Sequence, residues 1–356
     1  MAQAIETYLT PPRAAFWRLL QGVFFGVGLF ILIALLLKPE LGLHVLWNVL
    51  IPVAPALLVL APGLWRNVCP MGTASMIPHH LRLSSRRQLS LAWQSRLLAG
   101  AVVLLIVIVP LRPVLLDHFG QVTGLVLIAV ALLAGGMGFV FDRKSFWCSG
   151  LCPVYPVEML YGSKPAVQPR NAHCGTCSDC VSPCRDSRNN VTPIDAARTG
   201  PGRWAALVLI GGFPGFIIGW YLIPKTGSLL ADSPWPLGGA GAFSEGRGQA
   251  LVDAYAYSLG GMAISLALFA ALAFAYPRGL RALSVVFATA AVSAYYWFKL
   301  PVMLGLGAPE SALVPGLDFL PAAALWPLRA AVIVLFAGLL LARRPARGWL
   351  IRPPKA

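Results

Sequence analysis

The stretch from His173 to Cys184 reads HCGTCSDCVSPC, with thiols at Cys174, Cys177, Cys180 and Cys184. Gaps of two, two and three residues let successive thiolates turn inward on one small centre, which is how a cubane of iron and sulfide is held. Soft sulfur selects zinc, copper(I) or iron-sulfur centres. Structural zinc knuckles generally set two Cys pairs apart by a longer loop, so this even spacing fits a [4Fe-4S] centre better.

The remaining cysteines fall in two related stretches. Trp65-Arg-Asn-Val-Cys69-Pro70 and Cys148-Ser-Gly-Leu-Cys152-Pro153 each end in Cys-Pro, and Met76 and Met159 each lie seven residues beyond that cysteine. On a helix, Cys148 and Cys152 would put two sulfurs one turn apart on one face. Trp65 stands four residues before Cys69, where Cys148 stands before Cys152, so inert packing is a competing reading for Cys69. In two-cluster ferredoxins the fourth cysteine of a run ligates the other cluster. Cys184 therefore either completes its own centre or joins Cys69, Cys148 and Cys152 in a second thiol-bound metal or cluster. Seven cysteines cannot give four to each of two centres, so the second arrangement needs a water, His173 or Asp179.

The rest of the chain must hold these thiols at a membrane. With 58% hydrophobic and 12% charged residues and a mean hydropathy of +0.72, its 356 residues exclude a set of soluble domains. Apolar runs of about 20 residues, enough to cross hydrocarbon, are expected near 16–37, 43–64, 97–116, 121–141, 204–223, 254–276, 282–302 and 325–342. The expected fold is an all-α integral membrane protein of about eight transmembrane helices, with a cytoplasmic iron-sulfur loop between helices four and five. Residues 1–141 form a four-helix membrane core, 142–203 the cysteine-rich ferredoxin-like loop, and 204–356 a four-helix region with a basic tail. The first run is too long, and too poor in a small-x-small site, for a cleaved signal. Two helices followed by Cys-Pro, twice over, predict tandem pairs whose corners face one side. The basic stretch from Pro78 to Arg96, with interleaved leucines and Trp93, is expected along the headgroups.

Of 28 Lys and Arg residues, 22 fall at the termini or in alternate loops on one side. By the positive-inside rule this puts both termini and every cysteine on the cytoplasmic side of a bacterial inner membrane. The formal charge of +15 is thus spread over loops flanking apolar spans, so lipid is the expected partner and nucleic acid is not. No paired histidines sit at depth for a haem: His44 and His118 fall near outer helix ends, and His79, His80 and His173 in cytoplasmic loops. A quinone site at the outer surface would draw on His44, Arg112 or His118, against ordinary interfacial placement. There is no phosphate loop, nucleophile elbow or zincin motif.

A CxxxCP corner after paired helices, followed by a CxxCxxCxxxC run, resembles the membrane-bound polyferredoxin-like iron-sulfur proteins of the NapH and NosR type and, more distantly, the CcoG accessory proteins. The match covers Phe16 to roughly Cys184 and maps onto Cys148, Cys152 and Pro153, and onto Cys174, Cys177, Cys180 and Cys184. It implies four core helices and cytoplasmic-side iron-sulfur chemistry that relays electrons between the quinone pool or a cytoplasmic donor and a partner redox enzyme. The chain departs from the pattern in two places: its first corner has Trp65 in place of a cysteine, and the second ferredoxin run is missing. The competing readings are a reductive metal or cofactor maturation factor and, from another class, a membrane scaffold or transporter with a structural zinc loop.

Overall fold

The computed structural model describes residues 11–87, 89–141, 146–167, 200–223, 245–307, 309–316 and 320–342. These residues are almost wholly helical, and eight of the helices are long and apolar enough to cross a membrane. In chain order the spans are α1 (Pro11–Leu37), α2 (Pro39–Leu60), α5 (Leu91–Leu111), α6 (Gly120–Val140), α8 (Pro201–Tyr221), α9 (Glu245–Ala275), α10 (Leu280–Met303) and α11 (Ala322–Ala342). Short helices α3 (Pro62–Val68) and α4 (Pro70–His80) follow α2, and α7 (Val154–Tyr161) follows the second Cys-Pro. The multi-pass, all-α expectation holds. The second span ends earlier than expected, at Leu60, because Ala61 adopts φ −152° and Pro62 opens a new helix. Proline suits a first helical position, where its missing N–H would have no partner, and Pro11, Pro39, Pro62, Pro70 and Pro201 all start helices.

Three prolines lie beside widened turns. A π-helical segment covers Val45–Leu50 just before Pro52, another covers Arg112–Leu116 around Pro113, and a third covers Trp147–Leu151 shortly before Pro153. At Pro52 and Pro113 the wider turn accommodates a residue that cannot donate a backbone hydrogen bond. At Pro55 the repair comes from outside the helix. Tyr296 of α10 donates its hydroxyl to Pro52 O at 2.6 Å and accepts from Ala56 N at 2.8 Å. The hydroxyl thus stands in for the Ala56-to-Pro52 rung of α2, and it ties the two halves of the chain together.

The core runs across both halves. Leu58, Val59, Val102 and Leu160 share one apolar cluster with Leu209, Phe216, Val292 and Leu340. Helix α8 is its centre, 56% buried where the other spans reach at most 44%. Its glycines let α9 approach backbone to backbone: a Cβ added at Gly215 would lie 2.0 Å from Gly261 O, and one at Gly219 2.1 Å from Tyr257 O. Small-residue contacts of this kind pack helices in lipid, where no hydrophobic effect drives them together. Large apolar side chains such as Phe274, Ile264 and Val334 point outward, as lipid-facing surfaces require.

Pro78 to Arg96 does not form one surface segment. Helix α4 continues to His80, residues 81–90 are non-helical where described, and α5 starts at Leu91 with Ser90 as its N-cap. Ser85 N donates to Phe139 O at 2.7 Å and Arg87 N to Val140 O at 2.9 Å, so this loop is pinned to the end of α6. Trp93 and Arg96 belong to the first turns of α5, and Leu81, Leu83 and Trp93 remain exposed.

Candidate functional site

The two Cys-Pro corners have the same backbone. Cys69 has φ −57° and ψ 123°, and Cys152 has φ −60° and ψ 124°. In each, an extended cysteine ends one helix and the following proline opens the next turn. The N–H of Cys69 donates to Trp65 O, four residues back, whereas that of Cys152 donates to Trp147 O, five back, both at 2.9 Å. Ungapped spacing pairs Trp65 with Cys148, but the backbone pairs Trp65 with Trp147. The second corner therefore holds one residue more than the first, within the π turn Trp147–Leu151. Cys148 does not share a helical face with Cys152, because Cys152 is already extended.

A buried ion pair joins the corners. Arg66 Nε of α3 donates to Glu158 Oε1 of α7, with side chains 8% and 10% exposed. The guanidinium also sits over the Tyr155 ring, 5.5 Å from its centroid, and Tyr155 is itself buried. Gln21 of α1 donates to Asn67 O at 3.1 Å, which fixes the first corner against the first span. Met76 and Met159, the matched methionines, are both buried in their helices. Sequence reasoning passed over Arg66 and Glu158. The available signal was one charge of each sign, three residues before one corner proline's cysteine and six after the other, in an otherwise apolar setting.

Cys69, Cys148 and Cys152 are thiols, not disulfides. Burial pushes the Cys152 thiol up to about 12, and the nearby Cys69 adds to the shift. Cys152 alone is therefore neutral at physiological pH, and it would have to lose its proton to ligate a metal. Among the described residues no three His, Cys, Asp or Glu side chains converge as a metal ion requires. Soft donors suit the corner, but it would need a further ligand from beyond the described residues to hold a metal or cluster. Cys174, Cys177, Cys180 and Cys184, with His173 and Asp179, lie outside the described residues.

A second polar group sits at the other end of the bundle. Arg112 Nε donates to Asp117 Oδ1 at 2.8 Å, and its guanidinium lies 4.3 Å from the Trp47 ring centroid and 5.6 Å from that of Trp220. Lys299 of α10 donates to Asn48 Oδ1 at 3.1 Å, and Asn48 Nδ2 in turn donates to His44 Nδ1 at 3.3 Å. That acceptor role fixes the His44 tautomer with its proton on Nε2, a buried atom with no hydrogen bond among the described residues. His118 Nε2 pairs instead with Pro113 O at 2.9 Å. These ionisable groups are thus each paired, Arg112 with Asp117 and Lys299 with Asn48, at the helix ends opposite the two corners. Compared with known proteins, the chain matches no protein-family model, no curated protein and no solved structure.

Proposed function

We propose that this chain is a membrane-integral [4Fe-4S] electron-transfer protein of the bacterial inner membrane, with termini and cysteine loop cytoplasmic. It relays electrons between the quinone pool or a cytoplasmic donor and a partner redox enzyme, as in the NapH and NosR proteins it resembles. The observation that carries this reading is the Cys174, Cys177, Cys180 and Cys184 run lying shortly after two structurally matched Cys-Pro corners. Four closely spaced thiols fit a cubane by their donor chemistry. When bound, such a centre supplies one-electron transfer.

The chain's own residues do the rest. Cys174, Cys177, Cys180 and Cys184 would hold the centre, and Cys69, Cys148 and Cys152 offer a second thiol site beside it. The Arg66–Glu158 pair clamps the two corners to each other. A buried pair of this kind supports a fixed geometry more than it supports net stability. The test is metal analysis of anaerobically purified protein. Iron with acid-labile sulfide supports the reading. Zinc without iron replaces it with the zinc-stapled scaffold or transporter, and a centre that quinol cannot reduce, in a protein that reduces Cu(II), favours the maturation factor.

A further inference from the structure

At the end of the bundle opposite the Cys-Pro corners, Arg112 and Asp117 pair with each other, and both are close enough to act on the charge of Lys299. One acid against two cations leaves this group with an unmatched positive charge among the described residues. Lys299 does not turn to an acid. Its Nζ donates to the neutral Asn48 Oδ1 at 3.1 Å, and the other end of that amide donates to His44 Nδ1. An ammonium has three N–H donors, so two are left for a further acceptor. Acceptors are scarce around it: His44 Nε2 and Trp220 Nε1 are buried nitrogens with no hydrogen bond among the described residues, and the Trp220 ring lies 5.6 Å from the Arg112 guanidinium.

We infer that Lys299 binds a singly charged phosphate oxyanion, that of an anionic phospholipid headgroup. An unmatched cation among apolar spans is costly, and one negative charge neutralises it. Depth selects a lipid phosphate as the source. The span that carries Lys299, Pro277–Met303, has 27 residues, about 40 Å of helix, against about 30 Å of hydrocarbon. Its last turns therefore stand in the headgroup layer, and Lys299 belongs to the last two turns before Met303. Trp47 and Trp220 flank Arg112 in the same group, and indoles favour that layer. An ordinary interfacial lysine stretches its head out toward water. This one is held against α2 by an amide that His44 fixes in turn, so the ammonium is positioned for a ligand although its stem is flexible. None of the cysteines takes part, and the site stands apart from the electron relay.

The test is native mass spectrometry of the intact chain, delipidated in detergent and titrated with phosphatidylglycerol, phosphatidylcholine or inorganic phosphate. Saturable binding of phosphatidylglycerol is expected, roughly tenfold tighter or more than that of phosphatidylcholine, whose headgroup ammonium cancels its phosphate's charge. Lys299→Gln should weaken it by roughly tenfold or more. Lys299→Arg, which keeps the charge, and Arg278→Gln, an exposed cation at the other end of the same span, should leave it close to the parent. A measurement on the parent chain alone guards against a variant that fails to fold: phosphatidylglycerol should protect Lys299 from acylation by an amine-reactive ester, read by peptide mapping. Equal binding by Lys299→Gln and the parent, equal affinity for phosphatidylcholine, or acylation of Lys299 that the lipid does not slow overturns the site. Inorganic phosphate that binds with the same dependence on Lys299, where phosphatidylglycerol does not bind, overturns the lipid as the source and keeps the oxyanion.

Discussion

Replacing Arg66 with methionine should loosen both Cys-Pro corners at once. The substitution removes the Arg66 cation from the Glu158 carboxylate, 10% exposed, and the charge over the Tyr155 ring. Stripping one partner from a buried ion pair costs roughly 3–5 kcal/mol, while replacing both by apolar groups of similar volume is often neutral. At about 1.4 kcal/mol per tenfold, the single variant should open the corner on the order of 10² to 10⁴ times more often. The assay is the rate at which a maleimide labels Cys69 and Cys152 in detergent-solubilised protein, read by mass spectrometry of the two peptides. Arg66→Met should accelerate labelling of both sites, Glu158→Leu should do the same, and the double variant should return most of the way to the parent rate. Equal rates in parent and Arg66→Met, or a double variant as labile as either single one, would refute the idea that this pair clamps the corners.

Three other substitutions or titrations probe the frame that holds the site. Tyr296→Phe strands Ala56 N–H and Pro52 O inside α2; at about 1–3 kcal/mol for an unsatisfied buried group, thermal unfolding in micelles should shift clearly downward, and an unchanged midpoint would contradict the repair role. Gly261→Ala places a Cβ 2.2 Å from Gly215 O and should destabilise by about 1–3 kcal/mol through overpacking, whereas at Gly260, with nothing within 4 Å, the same change should be neutral or gain up to about 1 kcal/mol of helix propensity. Burial and then the positive charge of Arg18 hold the His80 imidazole below its ordinary 6.5. Its contribution to stability is therefore complete above pH 6.5 and is lost as the pH falls from there through the lower folded value. NMR of labelled histidine should show the depressed midpoint, and Arg18→Gln should move it back toward 6.5.

Much of the frame was readable from residue order because lipid imposes a simple rule: backbone must pair within each segment, so long apolar runs become helices. All eight expected runs correspond to spans, and the main error, at the end of α2, came from Pro62 restarting a helix inside the expected run. The Cys-Pro corners and their trailing methionines were also visible as a spaced pattern. Their true alignment was not, since a π turn adds one residue that composition does not reveal; only the hydrogen bonds of Cys69 and Cys152 pair Trp65 with Trp147. Long-range partners were equally hidden. Arg66 and Glu158 are 92 residues apart, and Tyr296 and Ala56 are 240 apart, and no local period encodes either contact. Each of the outer-end residues takes a partner close in the chain, His44 with Asn48, Arg112 with Asp117 and His118 with Pro113 O.

The central claim, a [4Fe-4S] centre held by Cys174, Cys177, Cys180 and Cys184, is tested most directly by an electron paramagnetic resonance spectrum with spin counting on anaerobically purified, dithionite-reduced protein. A reduced cubane signal of about one spin per chain is expected, lost when Cys177 is replaced by serine. A protein that contains zinc but gives no such signal, or a signal indifferent to Cys177→Ser, would contradict it.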